Sequence, residues 1–148
     1  MPVYREKLWP APWIFIAALL LIPASILVFA PIDLTVGFVV AGVLYAAVVI
    51  ALLLSTPAVE VGDGMLRAGR AGIELEHLGE AVPFDGAAAR TEKGTALDVR
   101  AYLLLRGWIH PVVRIPVEDP ADPAPYWLVS TRRPKELAAA INGSRRPD

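Results

Sequence analysis

The stretch from Trp13 to Leu54 is almost wholly apolar, and its length decides most of what this chain can become. Wound as a single α-helix it would extend roughly 63 Å at ~1.5 Å per residue, about twice the ~30 Å hydrocarbon core of a bilayer. Two spans therefore fit better than one. The dividing point is Ala30-Pro31-Ile32-Asp33. Pro31 cannot donate a helical hydrogen bond, and an Asp at a bilayer centre costs ~2.5–3.5 kcal/mol. The expected arrangement is a transmembrane hairpin with spans at about 13–30 and 34–54, joined by a tight turn at the far membrane surface. Pro23, near mid-depth of the first span, predicts a kink there.

Orientation follows from Lys and Arg, which are retained on the cytoplasmic side when close to a span. Arg5 and Lys7 precede the first span, the turn has neither residue type, and Arg67 and Arg70 follow the second span. Both termini are expected in the cytoplasm, and the protein in the inner or plasma membrane. A cleaved signal peptide competes for the first span, with Val28-Phe29-Ala30 as its small-residue site. Pro31 directly after that site, and an apolar run longer than a signal core, argue against cleavage. Residues 1–12 mix Tyr4 and Trp9 with Arg5 and Lys7 just ahead of Trp13. This composition suits the headgroup layer and predicts an interfacial N-terminal segment. Gly42 and Ala46, four apart, form a candidate helix packing face, either against the first span or in a homodimer through the second. Neither span holds an Asp, Glu, His, Lys or Arg, and two helices cannot enclose a pore, so the pattern excludes a channel or transporter built from one copy.

The remainder, 58–148, is a small cytoplasmic domain with almost no linker before it. A net charge of -1 leaves no basic field for nucleic acid, and that partner class is set aside. The chain contains no cysteine, which excludes disulfides, thiolate metal sites and cysteine nucleophiles. Strand signals recur along it. Residues 58–61 and 65–68 flank Gly62-Asp63-Gly64, and Asp-Gly is a strong hairpin signal. Residues 73–76 alternate apolar and acidic, 80–84 and 108–117 follow the strand pattern, and 126–129 is the last strand. Residues 96–105 fit a strand or a short helix, and Asp85-Gly86 reads as a turn. Seven candidate strands result. Pro134 then opens a helix over about 134–142, with Leu137, Ala140 and Ile141 on one face and Gly143 as its stop.

Seven short strands closed by a C-terminal amphipathic helix, directly after a two-helix hairpin, resemble the bacterial pleckstrin-homology-like (PH-like) membrane proteins. More specifically, Tyr4-Arg5-Glu6-Lys7-Leu8-Trp9, the loop Asp119-Pro120-Ala121-Asp122-Pro123, and Pro125-Tyr126-Trp127-Leu128-Val129-Ser130-Thr131-Arg132-Arg133-Pro134 look like an actinobacterial family of small alanine-rich membrane proteins, domain of unknown function 3093. The resemblance covers nearly the whole chain. It implies an α+β membrane protein with a PH-like barrel or sandwich, and it brings no catalytic residue or cofactor.

The residues themselves offer little chemistry. Gly62, Gly64, Gly69 and Gly72 precede no helix N-terminus and match no nucleotide-binding pattern, so hairpin turns account for them. His77, Glu80 and His110 offer at most a sparse metal set, and surface or packed histidines are favoured over ligands. Glu118, Asp119 and Asp122 lack the calcium-loop spacing and fit a solvated loop stiffened by Pro120, Pro123 and Pro125. Ser130 and Thr131 have no nucleophile elbow around them. No metal, cofactor or enzyme activity is expected. The most distinctive polar feature is the basic run Arg132, Arg133 and Lys135, joined by Arg145 and Arg146. It stands at a helix start, where free backbone N–H groups favour an anion such as a lipid headgroup. Pairing with nearby acids such as Glu136 is the plainer alternative. The leading expectation is a non-enzymatic, membrane-anchored interaction module that docks a membrane or cytoplasmic protein, with anionic headgroup binding as the alternative.

Overall fold

The computed structural model describes residues 3–145. Two compact units divide the chain: Trp9–Thr56 form one, and the residues up to Leu8 join those from Pro57 onward in the other.

The first unit consists of α1 (Pro12–Ala18), α2 (Leu21–Phe29) and α3 (Leu34–Leu54). Pro12–Phe29 and Leu34–Leu54 are each long and apolar enough to cross a membrane. The helical break lies at Leu19–Leu20, one turn before Pro23, because a proline removes the bond that the carbonyl four residues earlier would accept. Ile22 N–H takes over that carbonyl of Leu19 at 3.1 Å, a tighter i,i+3 contact. Asp33 caps α3 by accepting from Thr35 N–H at 2.9 Å. The small residues that let α2 and α3 approach are Gly37 and Ala41, both buried. A Cβ at Gly37 would lie 3.3 Å from Ile26 Cα. Gly42 and Ala46 are exposed, and a Cβ at Gly42 would meet open space. The expected packing face is therefore not the one used between these helices, since its residues point away from α2.

Among the described residues the second unit is built from eight strands, not seven. The additional one is β1 (Tyr4–Lys7), from the segment expected to lie along a membrane surface. Period-two alternation explains it: Tyr4, Glu6 and Leu8 are buried while Arg5 and Lys7 are exposed. β1 pairs antiparallel with β2 (Ala58–Gly62), Tyr4 opposite Val61 and Lys7 opposite Ala58. β3 (Met65–Ala68) and β4 (Ala71–Glu74) complete a meander in the order β1-β2-β3-β4. The turn between β2 and β3 uses Asp63 at φ 54° and Gly64 at φ 75°. Two successive positive φ values are what a tight two-residue hairpin needs. A 3₁₀ turn at Leu75–His77 follows.

The second sheet has the order β5-β7-β8-β6, from β5 (Val82–Phe84), β6 (Tyr102–Leu104), β7 (Val112–Pro116) and β8 (Tyr126–Ser130). Only Tyr102–Leu104 of the ambiguous stretch 96–105 is strand, and it runs parallel to β8. Inward residues of both sheets, among them Val61, Leu66, Ile73, Ile115 and Val129, form one core. Helix α5 (Pro134–Arg145) adds Leu137, Ala138 and Ile141 to it. This helix runs past Gly143, which is exposed inside its last turn and does not stop it. Asn142 explains part of that extension. Its side-chain amide accepts from Ala81 N–H at 2.8 Å and donates to Ala81 C=O at 3.0 Å, so the last turn is held to the segment leading into β5.

Asp85-Gly86 marks the start of helix α4 (Gly86–Lys93), not merely a turn, with the Asp85 carboxylate accepting from Gly86 N–H. Its Ala89 packs on Val112 and Leu128, covering the outer face of the second sheet. Buried Glu92 reaches Arg114 at 3.2 Å, and the Arg114 guanidinium lies 5.3 Å from the centre of the Phe84 ring. Stacking and pairing together allow this charge to sit half-buried.

Candidate functional site

A buried polar knot lies where β1 meets the start of α5. Because Glu6 occupies an inward position of β1, the residue is only 7% exposed and its carboxylate must find donors. Oε2 accepts from Tyr4 Oη–H at 2.7 Å and from the Thr131 hydroxyl, while Oε1 accepts from Arg132 N–H at 2.9 Å. Thr131 Oγ1 in turn accepts from Arg133 N–H at 3.0 Å. Burial pushes the Tyr4 phenol up to about 12, and the Glu6 carboxylate beside it acts in the same direction. Tyr4 thus stays protonated and donating at any physiological pH.

This knot answers the question posed by the basic run. Free N–H groups ahead of a helix favour an anion, and here the anion is the chain's own Glu6. Arg133 is also engaged. It lies over the Tyr4 ring with 4.8 Å from Cζ to the centroid, donates to Arg5 C=O at 3.0 Å, and reaches Glu136 Oε2 at 3.1 Å. Arg132 and Lys135 are exposed at the same end. Arg145 does not join them, since it ends α5, about 18 Å away at ~1.5 Å rise per residue. Arg146 lies outside the described residues.

The other sequence candidates separate as follows. His77 has Glu74 Oε2 at 3.6 Å and Glu76 Oε1 at 3.7 Å from its Nε2. Among the described residues these three are the group whose ligand atoms come close enough to share an ion, within 4.8 Å of one another. Glu80 and His110 are not members of it. The strand-end geometry brings residues 74, 76 and 77 to one exposed corner, which spacing against His110 could not show. Asp119 and Asp122 cap their own loop, accepting from Ala121 N–H and Ala124 N–H at 2.9 Å each, and Glu118 is exposed. Ser130 is buried, and its Oγ accepts from Arg106 N–H at 3.1 Å. An open cleft of about 430 Å³ lies between the β2–β3 turn and the end of α5, lined by Asp63, Met65, Glu74, Glu76 and Arg145.

Sequence reasoning passed over Glu6 and weighed Thr131 only as a nucleophile. The available signal was Tyr4-x-Glu6-x-Leu8, a two-residue period that places Glu6 on the same face as two residues built for a core.

The architecture defines a class: a small two-sheet α+β domain interrupted, between its first and second strands, by a pair of apolar helices. The chain belongs to the family described as Protein of unknown function (DUF3093), which matches residues 3–141. That range takes in β1, both apolar helices and the Glu6 knot. No curated protein matches the chain. No solved structure matches it either.

Proposed function

We propose that this protein is a non-enzymatic, membrane-anchored interaction module whose two-sheet domain stands on the cytoplasmic face and docks a membrane or cytoplasmic protein. The observation that carries the reading is the pairing of β1 with β2, Lys7 opposite Ala58. These strands lie on either side of the apolar helices in sequence, yet they share one sheet. A chain that leaves a sheet and returns to the adjacent strand crosses a bilayer an even number of times. Two crossings agree with two helices of suitable length. The Lys/Arg asymmetry then favours the cytoplasmic side for both ends. Two packed sheets with a closing C-terminal helix support a PH-like description of the domain. The parallel β6–β8 pair and α4 are departures from the seven-strand layout expected of it.

The test uses the absence of native cysteine. Val3→Cys, Ile32→Cys and Ser144→Cys are labelled in intact cells with an impermeant maleimide. Ile32→Cys is expected to react directly, and the other two only after permeabilisation. Opposite accessibility of positions 3 and 144, or recovery of the protein in solution without detergent, overturns the anchoring. For the docking role, crosslinking before mild solubilisation should capture one reproducible partner. Repeated isolation of the protein alone would count against it.

A further inference from the structure

The meander β1-β2-β3-β4 has two ends, and they differ in charge and in what the chain does next. At one end Lys7 faces Ala58, Leu8 N–H bonds Pro57 C=O at 2.9 Å, and Gly69 N–H bonds Ala58 C=O at 3.0 Å. The β3–β4 turn, Gly69-Arg70, is therefore at this root end, and a Cβ at Gly69 would lie 3.9 Å from Pro57 Cβ. From here the chain leads to apolar helix in a few residues, since α3 ends at Leu54 and α1 starts at Pro12. Three residues from Leu54 to Pro57 reach at most ~11 Å at ~3.3–3.6 Å each. The exposed side chains at this end include Lys7 and Arg70.

The opposite end holds the Asp63-Gly64 turn, to which Leu75 N–H is bonded through Gly64 C=O at 2.9 Å. Asp63, Glu74 and Glu76 gather there, with Arg145 on the far wall of the same cleft. The strand between the ends, Ala58–Gly62, rises about 13 Å at ~3.3 Å per residue. That exceeds the ~8 Å screening length at physiological salt, so the two ends present separate fields to a nearby surface.

We infer that the root end of this sheet, Lys7 with the Gly69-Arg70 turn, is the surface of the domain that meets acidic phospholipid headgroups of its own bilayer, with the Asp63 end held away. The inference rests on the anchoring proposed above, and it moves the headgroup contact from the α5 start, where Glu6 already fills the anion position, to the sheet end. Basic residues are drawn to an anionic leaflet within a screening length of it, and the acidic end is repelled. The basic residues stand beside the short connections in the chain and the acidic ones a strand length away, which is the charge order this surface needs.

The experiment uses the full chain in vesicles of phosphatidylcholine alone and of an equal mixture with phosphatidylglycerol. Single-cysteine variants Arg70→Cys and Glu76→Cys carry a fluorophore, and headgroup spin-labelled lipid is the quencher. Strong quenching at position 70 is expected, with none above the aqueous baseline at position 76. Because Arg70→Cys removes one charge, Lys7→Gln is added to it, and the increase in quenching produced by phosphatidylglycerol should shrink. Equal quenching at the two positions, or stronger quenching at 76, overturns the inference. Quenching that does not change between the two lipid compositions overturns its electrostatic basis. A protein that resists alkaline extraction yet shows either result leaves the anchoring standing and this inference refuted, whereas loss from the vesicles refutes both.

Discussion

Replacing Glu6 tests whether the first strand is an integral part of the domain. In Glu6→Ala three donors lose their acceptor: Tyr4 Oη–H, the Thr131 hydroxyl and Arg132 N–H. Tyr4 and Thr131 stand 3.2 Å apart and can satisfy each other in part, so about two donors are left unmet. At ~1–3 kcal/mol for each unsatisfied buried group, the loss is roughly 2–6 kcal/mol. Relief of the buried carboxylate's desolvation offsets part of this, which points to the lower half, about 2–4 kcal/mol. A domain of this size has only ~5–15 kcal/mol of total stability, so the change is large. Glu6→Gln keeps one acceptor oxygen and should lose about half as much. The assay is urea unfolding of the full chain in detergent, followed through near-ultraviolet circular dichroism, to which buried Trp127 stacked near Tyr102 contributes. A Glu6→Ala midpoint within the range of an ordinary surface substitution, about 0.5 kcal/mol, would refute the reasoning.

Four further outcomes follow from the same geometry. Tyr4 has its proton held more tightly in the folded chain, up to about 12 against an unfolded 10.0, so its contribution is complete below pH 10 and is lost as pH rises through about 12. Alkaline unfolding should be less steep over that window in Tyr4→Phe than in the parent chain. Asn142→Ala removes two bonds to Ala81 and should cost about 2 kcal/mol in urea unfolding, with exchange of the Ala81 amide accelerated. Gly37→Val should weaken packing of α2 on α3 by ~1–3 kcal/mol, because its first added carbon already meets Ile26 Cα at 3.3 Å. Gly42→Ala should leave that packing unchanged, and crosslinking of cysteines placed across the two helices would separate these cases.

The apolar helices and the β-rich remainder were legible because each rests on a local pattern. An uninterrupted greasy run needs no partner to be recognised, and neither does Asp63-Gly64 between two alternating segments. What was lost depended on partners distant in sequence. β1 offers a carboxylate to the core, and that position makes sense only once Thr131 and Arg132 stand opposite it. The same gap hid the candidate site: Arg132 and Arg133 look like an open anion cradle until Glu6 is seen to accept from Arg132 N–H and Thr131 from Arg133 N–H. α4 was missed for a local reason, since an Asp-Gly pair serves equally as a turn and as a cap, and only the three alanines after it favour the helix. Gly143 was over-read as a stop because the Asn142 amide that anchors the last turn finds its partner at Ala81.

The pairing of Lys7 with Ala58 also imposes an order on synthesis. β1 leaves the ribosome long before β2 exists, and two long apolar helices are made between them. Until that apolar insert has been made and β2 has emerged, Tyr4 and Glu6 have no sheet to join, and Thr131 is still unmade. Contacts this distant in sequence form late and slowly, which leaves the nascent amino-terminal strand in need of shielding while the rest of the chain is completed.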